Sequence, residues 1–210
     1  MIVIGLQGKK RSGKDTFANF LVKHLEDKKV ARTAFANPLK GMLSDISGVD
    51  FFSEENKETD MVFMLNMIKF QEHTDLLLDV SVFYQLDKFA RLEGFGTLYI
   101  YTSKRKLMQF FGTDICRKYK GDLYWVNKLE APSDADVLIV TDVRFQTEVD
   151  KIKSLGGIIV EIKNPLIESS DSHSSENAVL PFDWEVYNSG TLNDLEGAAY
   201  RFIHYTIKAK

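Results

Sequence analysis

The sequence predicts an α/β fold: a parallel sheet flanked by helices, with an inserted, mostly helical region. Three observations carry that expectation. Short apolar runs suited to buried parallel strands recur at IVIGL (residues 2–6), DVLIVT (residues 136–141) and IIVEI (residues 158–162). Between such runs lie stretches whose apolar residues return at helical spacing, as Phe17, Phe20, Leu21 and Leu25 do, with His24 on the same face. A glycine-containing turn joins the first run to the first of those helices. Strands alternating with helices build a sheet covered on both faces, with its ligand crevice at the carboxyl ends of the strands.

The remaining elements follow in order. ARTAF (residues 31–35) reads as the second strand, and NPLKGMLSDI begins a helix with Pro38 near its first turn. Residues 50–103 hold SEENKETD, the apolar MVFMLNMIKF and FGTLYIY, and read as the inserted, mostly helical subregion of a single domain spanning residues 1–210. Over residues 104–119 Leu107, Met108, Phe111 and Ile115 share a helical face, and a second helix is expected over residues 123–129. The strand at 136–141 ends at Asp142. A helix over residues 146–155 is closed by Gly156-Gly157 and leads into the strand at 158–162. Residues 164–181 read as a loop, 182–187 as a last strand, and 192–207 as a helix begun by Thr191 or Asn193.

Composition narrows the function classes. With 210 residues, 44% hydrophobic and 27% charged, the chain is long enough for a real core and too apolar to be disordered. A net charge of −3 gives no electrostatic case for a nucleic acid polymer as partner. Its basic residues nevertheless cluster, at Lys9-Lys10-Arg11 with Lys14, at Lys104-Arg105-Lys106, and at Arg117-Lys118. Local positive patches on a mildly acidic protein suit a small, multiply charged anion, although any one cluster alone reads equally as solvated surface. Cys116 is the single cysteine, which excludes an internal disulfide and a cysteine-rich metal site. No run approaches membrane-spanning length and the opening apolar run is too short for a signal peptide, so a cytoplasmic protein with no membrane partner is expected.

The turn GKKRSGKDT (residues 8–16) has the spacing of a phosphate-binding loop. Gly8 and Gly13 let the backbone close around phosphate, and Lys14 reaches the β- and γ-phosphates. Lys10, Arg11 and Ser12 line the loop between them. Strand before and helix after place the loop's amides and the helix dipole toward an anion. Asp15 stands where a magnesium-binding hydroxyl is usual. Its carboxylate suits Mg²⁺ directly or through water, and Thr16 still suits the α-phosphate. At the end of the later strand, Asp142 is placed as a second acidic ligand for Mg²⁺ or its water, Arg144 can reach a transferring phosphoryl group, and Glu148 follows on the next helix. The bland alternative is a helix cap and an i,i+4 Arg–Glu pair. Lys104, Arg105 and Arg117 are candidates for gripping an acceptor's phosphate. Trp125 suits either stacking on a base or filling the core. His173, in DSHSSEN, has no partner at metal-ligand spacing. NKLE (residues 127–130) approximates a guanine-reading motif, but it lies in a helical segment with no switch motif to accompany it.

GKKRSGKDT, ANPLK, LMQFFGTD, DLYWVNKL, TDVRFQTEVDKIKSLGG and DSHSSEN occur in an order that resembles the deoxynucleoside monophosphate kinases of tailed bacteriophages. The resemblance covers both ends of the chain and most of residues 104–190, and is weak over 50–103. It implies a P-loop nucleoside monophosphate kinase fold and transfer of the γ-phosphoryl group of ATP, with Mg²⁺, to a dNMP. By the same resemblance, residues 10–16 hold the ATP phosphates with Asp15 near the reacting groups. Lys40, Arg105, Arg117 and Trp125 serve the dNMP, and Asp142, Arg144 and Glu148 surround the transfer. A homodimer is compatible with it, and a viral source would make the compartment a host cytoplasm. Similar loops and strand ends in animal-type phosphomevalonate kinases leave a different phosphorylated acceptor as the alternative, and a non-catalytic ATP-binding module is the rival from another class.

Overall fold

The computed structural model describes residues 1–77, 82, 90–93, 96–166 and 179–207, with residues 90–93 as backbone. The chain divides into two units, Met1–Phe35 with Leu129–Lys210, and Ala36–Lys128.

The first unit is built on a five-stranded sheet in the order β2-β6-β1-β7-β8, from β1 (Ile2–Gln7), β2 (Val30–Thr33), β6 (Val137–Val143), β7 (Ile158–Lys163) and β8 (Trp184–Tyr187). Every neighbouring pair is parallel. Side chains alternate between the faces as a strand period of two requires. Ile4, Leu6, Val137, Ile139, Val160, Ile162 and Val186 join one core with α1 (Lys14–His24) and α7 (Leu192–Thr206), which supply Phe17, Leu21, Leu195, Phe202 and Ile203. On the other face α6 (Gln146–Ser154) packs close, because Gly5 has no side chain. A Cβ there would stand 3.3 Å from Ile152 Cγ1 of α6 and 2.8 Å from Ile159 Cδ1 on the neighbouring strand. From β1 the chain runs through α1 to the edge strand β2, whereas from β6 it crosses β1 to reach β7. The carboxyl end of β1 is therefore where the strand order reverses, the usual place for a ligand crevice in such sheets.

The second unit carries an antiparallel sheet in the order β3-β5-β4, from β3 (Asp60–Asn66), β4 (Ala90–Glu93) and β5 (Thr97–Ser103). Its helices are α2 (Asn37–Ser47), α3 (Met67–Thr74), and α4 (Lys104–Gln109), which runs on through a π-helical stretch Phe110–Arg117 into α5 (Lys118–Lys120). The expectation of a mostly helical insertion over 50–103 is corrected here, since three strands and one helix account for its described regular structure. Phe63 and Leu65 face Ile100 and Leu98 across the ladder and point into a core with Leu43, Phe70, Phe111 and Cys116. The second helix expected over residues 123–129 is a single 3₁₀ turn, Val126–Lys128. Within the expected loop 164–181, DSHSSEN with His173 lies outside the described residues.

Candidate active site

The phosphate-loop sequence leaves β1 at the switch point and turns into α1. Two positions require glycine. Gly8 has φ 136°, and a Cβ on it would lie 2.3 Å from the Ile162 carbonyl oxygen. Gly13, the N-cap of α1, has φ 102°. Arg11 between them also adopts a left-handed backbone, φ 64°. The Ser12 amide donates to Lys9 O at 3.1 Å, and the Phe17 amide to Gly13 O at 2.8 Å, opening α1. Lys14 folds its ammonium over the mouth of the turn, donating to the carbonyls of Gly8 and Lys9, both at 2.7 Å. Ser12 is 1% exposed, yet its Oγ is left without a hydrogen-bond partner. A buried orphan hydroxyl is uncommon. In a concave turn at a helix N-terminus it suits a phosphate oxygen, and these residues fit a polyphosphate.

Asp15 is the most open group of the loop, its side chain 85% exposed. Arg32, on β2, brings Nη2 to 3.5 Å of its carboxylate and also donates to Asn19 Oδ1. Thr16 follows in the first turn of α1, half-buried. On the neighbouring strand, Gln7 stands in register with Val143, so residues 141–144 and the phosphate loop leave the same sheet edge side by side. Asp142 Oδ1 accepts the Phe35 amide at 2.7 Å, tying the exit of β2 to that of β6. Arg144 follows, half-buried. Glu148 is 3% exposed, and its Oε2 accepts the amides of Arg144 at 2.7 Å and Phe145 at 3.2 Å. Its carboxylate thus caps the start of α6, a role the sequence reading gave to the strand-end Asp, and fixes the backbone that carries Arg144. Among the described residues no group of three or more His, Cys, Asp or Glu side chains is arranged to hold a metal ion by itself.

In the second unit the basic candidates separate. Lys104 is 6% exposed and its ammonium donates to the carbonyls of Asp50 at 2.8 Å and Glu55 at 3.1 Å, so it ties the turn before β3 to the start of α4. Arg117 is 9% exposed and donates to Asp122 O. Trp125 is 3% exposed, with its indole N–H on Gly112 O at 2.9 Å; of its two readings the geometry supports core packing over base stacking. Arg105 faces Glu58 at 3.7 Å, and Lys40 lies with its ammonium 5.7 Å from the centre of the exposed Phe52 ring. The sequence reading missed Arg32 and Asn188. An arginine inside a predicted strand was a usable signal for the first. Nothing in the sequence pointed to Asn188, which reaches Ser12 only through the fold.

The family model described as deoxynucleotide monophosphate kinase matches residues 99–198. The "Putative deoxynucleotide monophosphate kinase" of Acanthamoeba polyphaga mimivirus is 27% identical over 215 residues, covering 92% of each chain. The "Deoxynucleotide monophosphate kinase" of Escherichia phage RB69 is 28% identical over 93% of this chain and 96% of its own. This chain is similar to the deoxynucleotide monophosphate kinases over most of its length. The "Deoxynucleoside-5'-monophosphate kinase" of Escherichia phage T5 is also similar, 29% identical over 72% of both chains. The family model begins at residue 99, so the geometry of the phosphate loop is an observation independent of that match. Among the described residues no helix is long and apolar enough to cross a membrane.

Proposed function

We propose that the protein transfers the γ-phosphoryl group of ATP to the 5′-phosphate of a deoxynucleoside monophosphate, releasing ADP and the deoxynucleoside diphosphate. One observation carries the reading beyond the similarity to those kinases: the closed turn of residues 8–16, with its buried, unpartnered Ser12 hydroxyl, at the strand-order reversal. An acceptor-phosphate oxygen attacks the γ-phosphorus while the bond to the β–γ bridging oxygen breaks, and little covalent help is needed from the protein. Its task is alignment and charge stabilisation.

The amides at the start of α1 and the Lys14 ammonium bind the ATP phosphates, with Lys14 exchanging the Gly8 and Lys9 carbonyls for phosphate oxygens. Arg144 sets a guanidinium against the charge that develops on the transferring group. Asp15 and Asp142 would hold Mg²⁺, directly or through its waters, and the ion when bound neutralises phosphate charge. Arg32 orients the Asp15 carboxylate. Lys40 and Arg105 supply positive charge for the acceptor's phosphate. Lys104, Arg117, Trp125 and Glu148 serve by holding backbone and core in place.

ADP release from ATP and Mg²⁺ is measured with dTMP, dGMP, dCMP, dAMP and phosphomevalonate, each alone. Turnover with at least one dNMP is expected. Turnover with phosphomevalonate alone would replace the acceptor class. ATP binding without release in any arm would leave a nucleotide-binding module instead of a kinase.

A further inference from the structure

The connection from β8 to α7 reaches back to the phosphate loop. We infer that Asn188 is a positioning residue for phosphoryl transfer, one that aims the Gly13 amide at the bound phosphates. The inference rests on the phosphate-loop part of the proposed function. Asn188 is anchored on the sheet: its own amide donates to Lys163 O at 2.7 Å, extending the β7–β8 ladder by one residue beyond Tyr187. From that fixed point its side-chain Nδ2 donates to Ser12 O at 2.9 Å.

The consequence follows from peptide geometry. The Ser12–Gly13 bond is planar and trans, so the Gly13 N–H points opposite to the Ser12 carbonyl. Holding that carbonyl against Asn188 turns the Gly13 amide away from Asn188. Gly13 N–H has no hydrogen-bond partner among the described residues, so it remains available to an anion. A peptide between two residues of a glycine-containing turn is otherwise prone to flip, which would present a carbonyl to the phosphates in place of a donor. Gly13 also makes room for the clamp, since a Cβ on it would stand 2.4 Å from Asn188 Nδ2. The glycine and the asparagine therefore work as a pair, Gly13 leaving the space in which the Asn188 amide bonds the Ser12 carbonyl. Preset donors of this kind stabilise anionic charge without reorganising as it develops.

The test compares Asn188→Ala and Asn188→Asp with the parent protein, in ATP dissociation constant, kcat, KM for the acceptor and melting temperature. Asn188→Ala is expected to weaken ATP binding and lower kcat, each by about tenfold, with the acceptor's KM unchanged. Asn188→Asp at pH 8 sets a carboxylate against the Ser12 carbonyl and is expected to be worse than alanine. As the pH falls toward the carboxyl range, the protonated acid regains a donor, and its ATP affinity is expected to recover relative to the alanine variant at the same pH. A role confined to stability would move the melting temperature but give neither the order of the two variants nor that recovery. Folded variants with parental ATP affinity and kcat would overturn the inference. So would an aspartate variant that tracks alanine at every pH. Absence of transfer to any dNMP by the parent would sink the proposed reaction, whereas the ATP-binding readout would still decide the role of Asn188.

Discussion

Lys14 and Asp15 sit side by side in the loop but have different surroundings, and so different expected effects. Lys14 already bonds two loop carbonyls at 2.7 Å, so a phosphate replaces existing partners instead of drawing a lysine from solvent. Lys14→Ala is expected to cut transfer by orders of magnitude while the far-ultraviolet spectrum stays that of the parent; near-parental turnover would remove the phosphate-loop assignment. Asp15 is largely exposed beside Arg32, and Asp15→Asn is expected to keep ATP binding but lose turnover. Unchanged kinetics would make the carboxylate structural. Lys104 tells the opposite story. Its sequence neighbours suggested a phosphate grip, yet the ammonium is spent on two backbone carbonyls at a site 6% exposed. Lys104→Ala is therefore expected to cost about 3–6 kcal/mol in chemical unfolding, since the two hydrogen bonds from the charged group contribute about 1.5–3 kcal/mol each. A variant of parental stability with a raised acceptor KM would restore the binding role. Lys104, Arg105 and Lys106 are equally basic in sequence, and only burial separates them.

Elements buried on both faces were legible because each is a continuous apolar run, as VLIV at residues 137–140 is. β3 was not. Val62 and Met64 are exposed at 61% and 55%, so DMVFMLN lacks the polar alternation that marks a half-buried strand and reads as a helical apolar stretch. The helix following β5 was expected through Tyr119, but its π-helical middle has no sequence signature. That stretch buries Cys116, and burial pushes its thiol up to about 12. Burial disfavours the thiolate, so at pH 8 roughly one thiol in ten thousand is ionised. Cys116 is thus expected to resist alkylation in the native protein and to react promptly once unfolded in denaturant. Rapid native labelling would mean that the π-helical segment opens easily.

At the scale of the molecule, the phosphate loop, Asp142 and Arg144 were legible together because a parallel sheet brings successive strand ends to one edge, and Gln7 is indeed in register with Val143. Contacts made only by tertiary structure were not: Arg32 on Asp15 and Asn188 on Ser12 join residues far apart in sequence. The same applies to Trp125, whose environment is decided by a carbonyl at Gly112. The most direct measurement follows the γ-phosphoryl group itself, with γ-labelled ATP, Mg²⁺ and each dNMP in turn, and the products separated by chromatography. Label recovered in a deoxynucleoside diphosphate, and lost in Lys14→Ala, is the result this account predicts. Label found only in ATP, or only in inorganic phosphate, from a folded protein given every dNMP would contradict it.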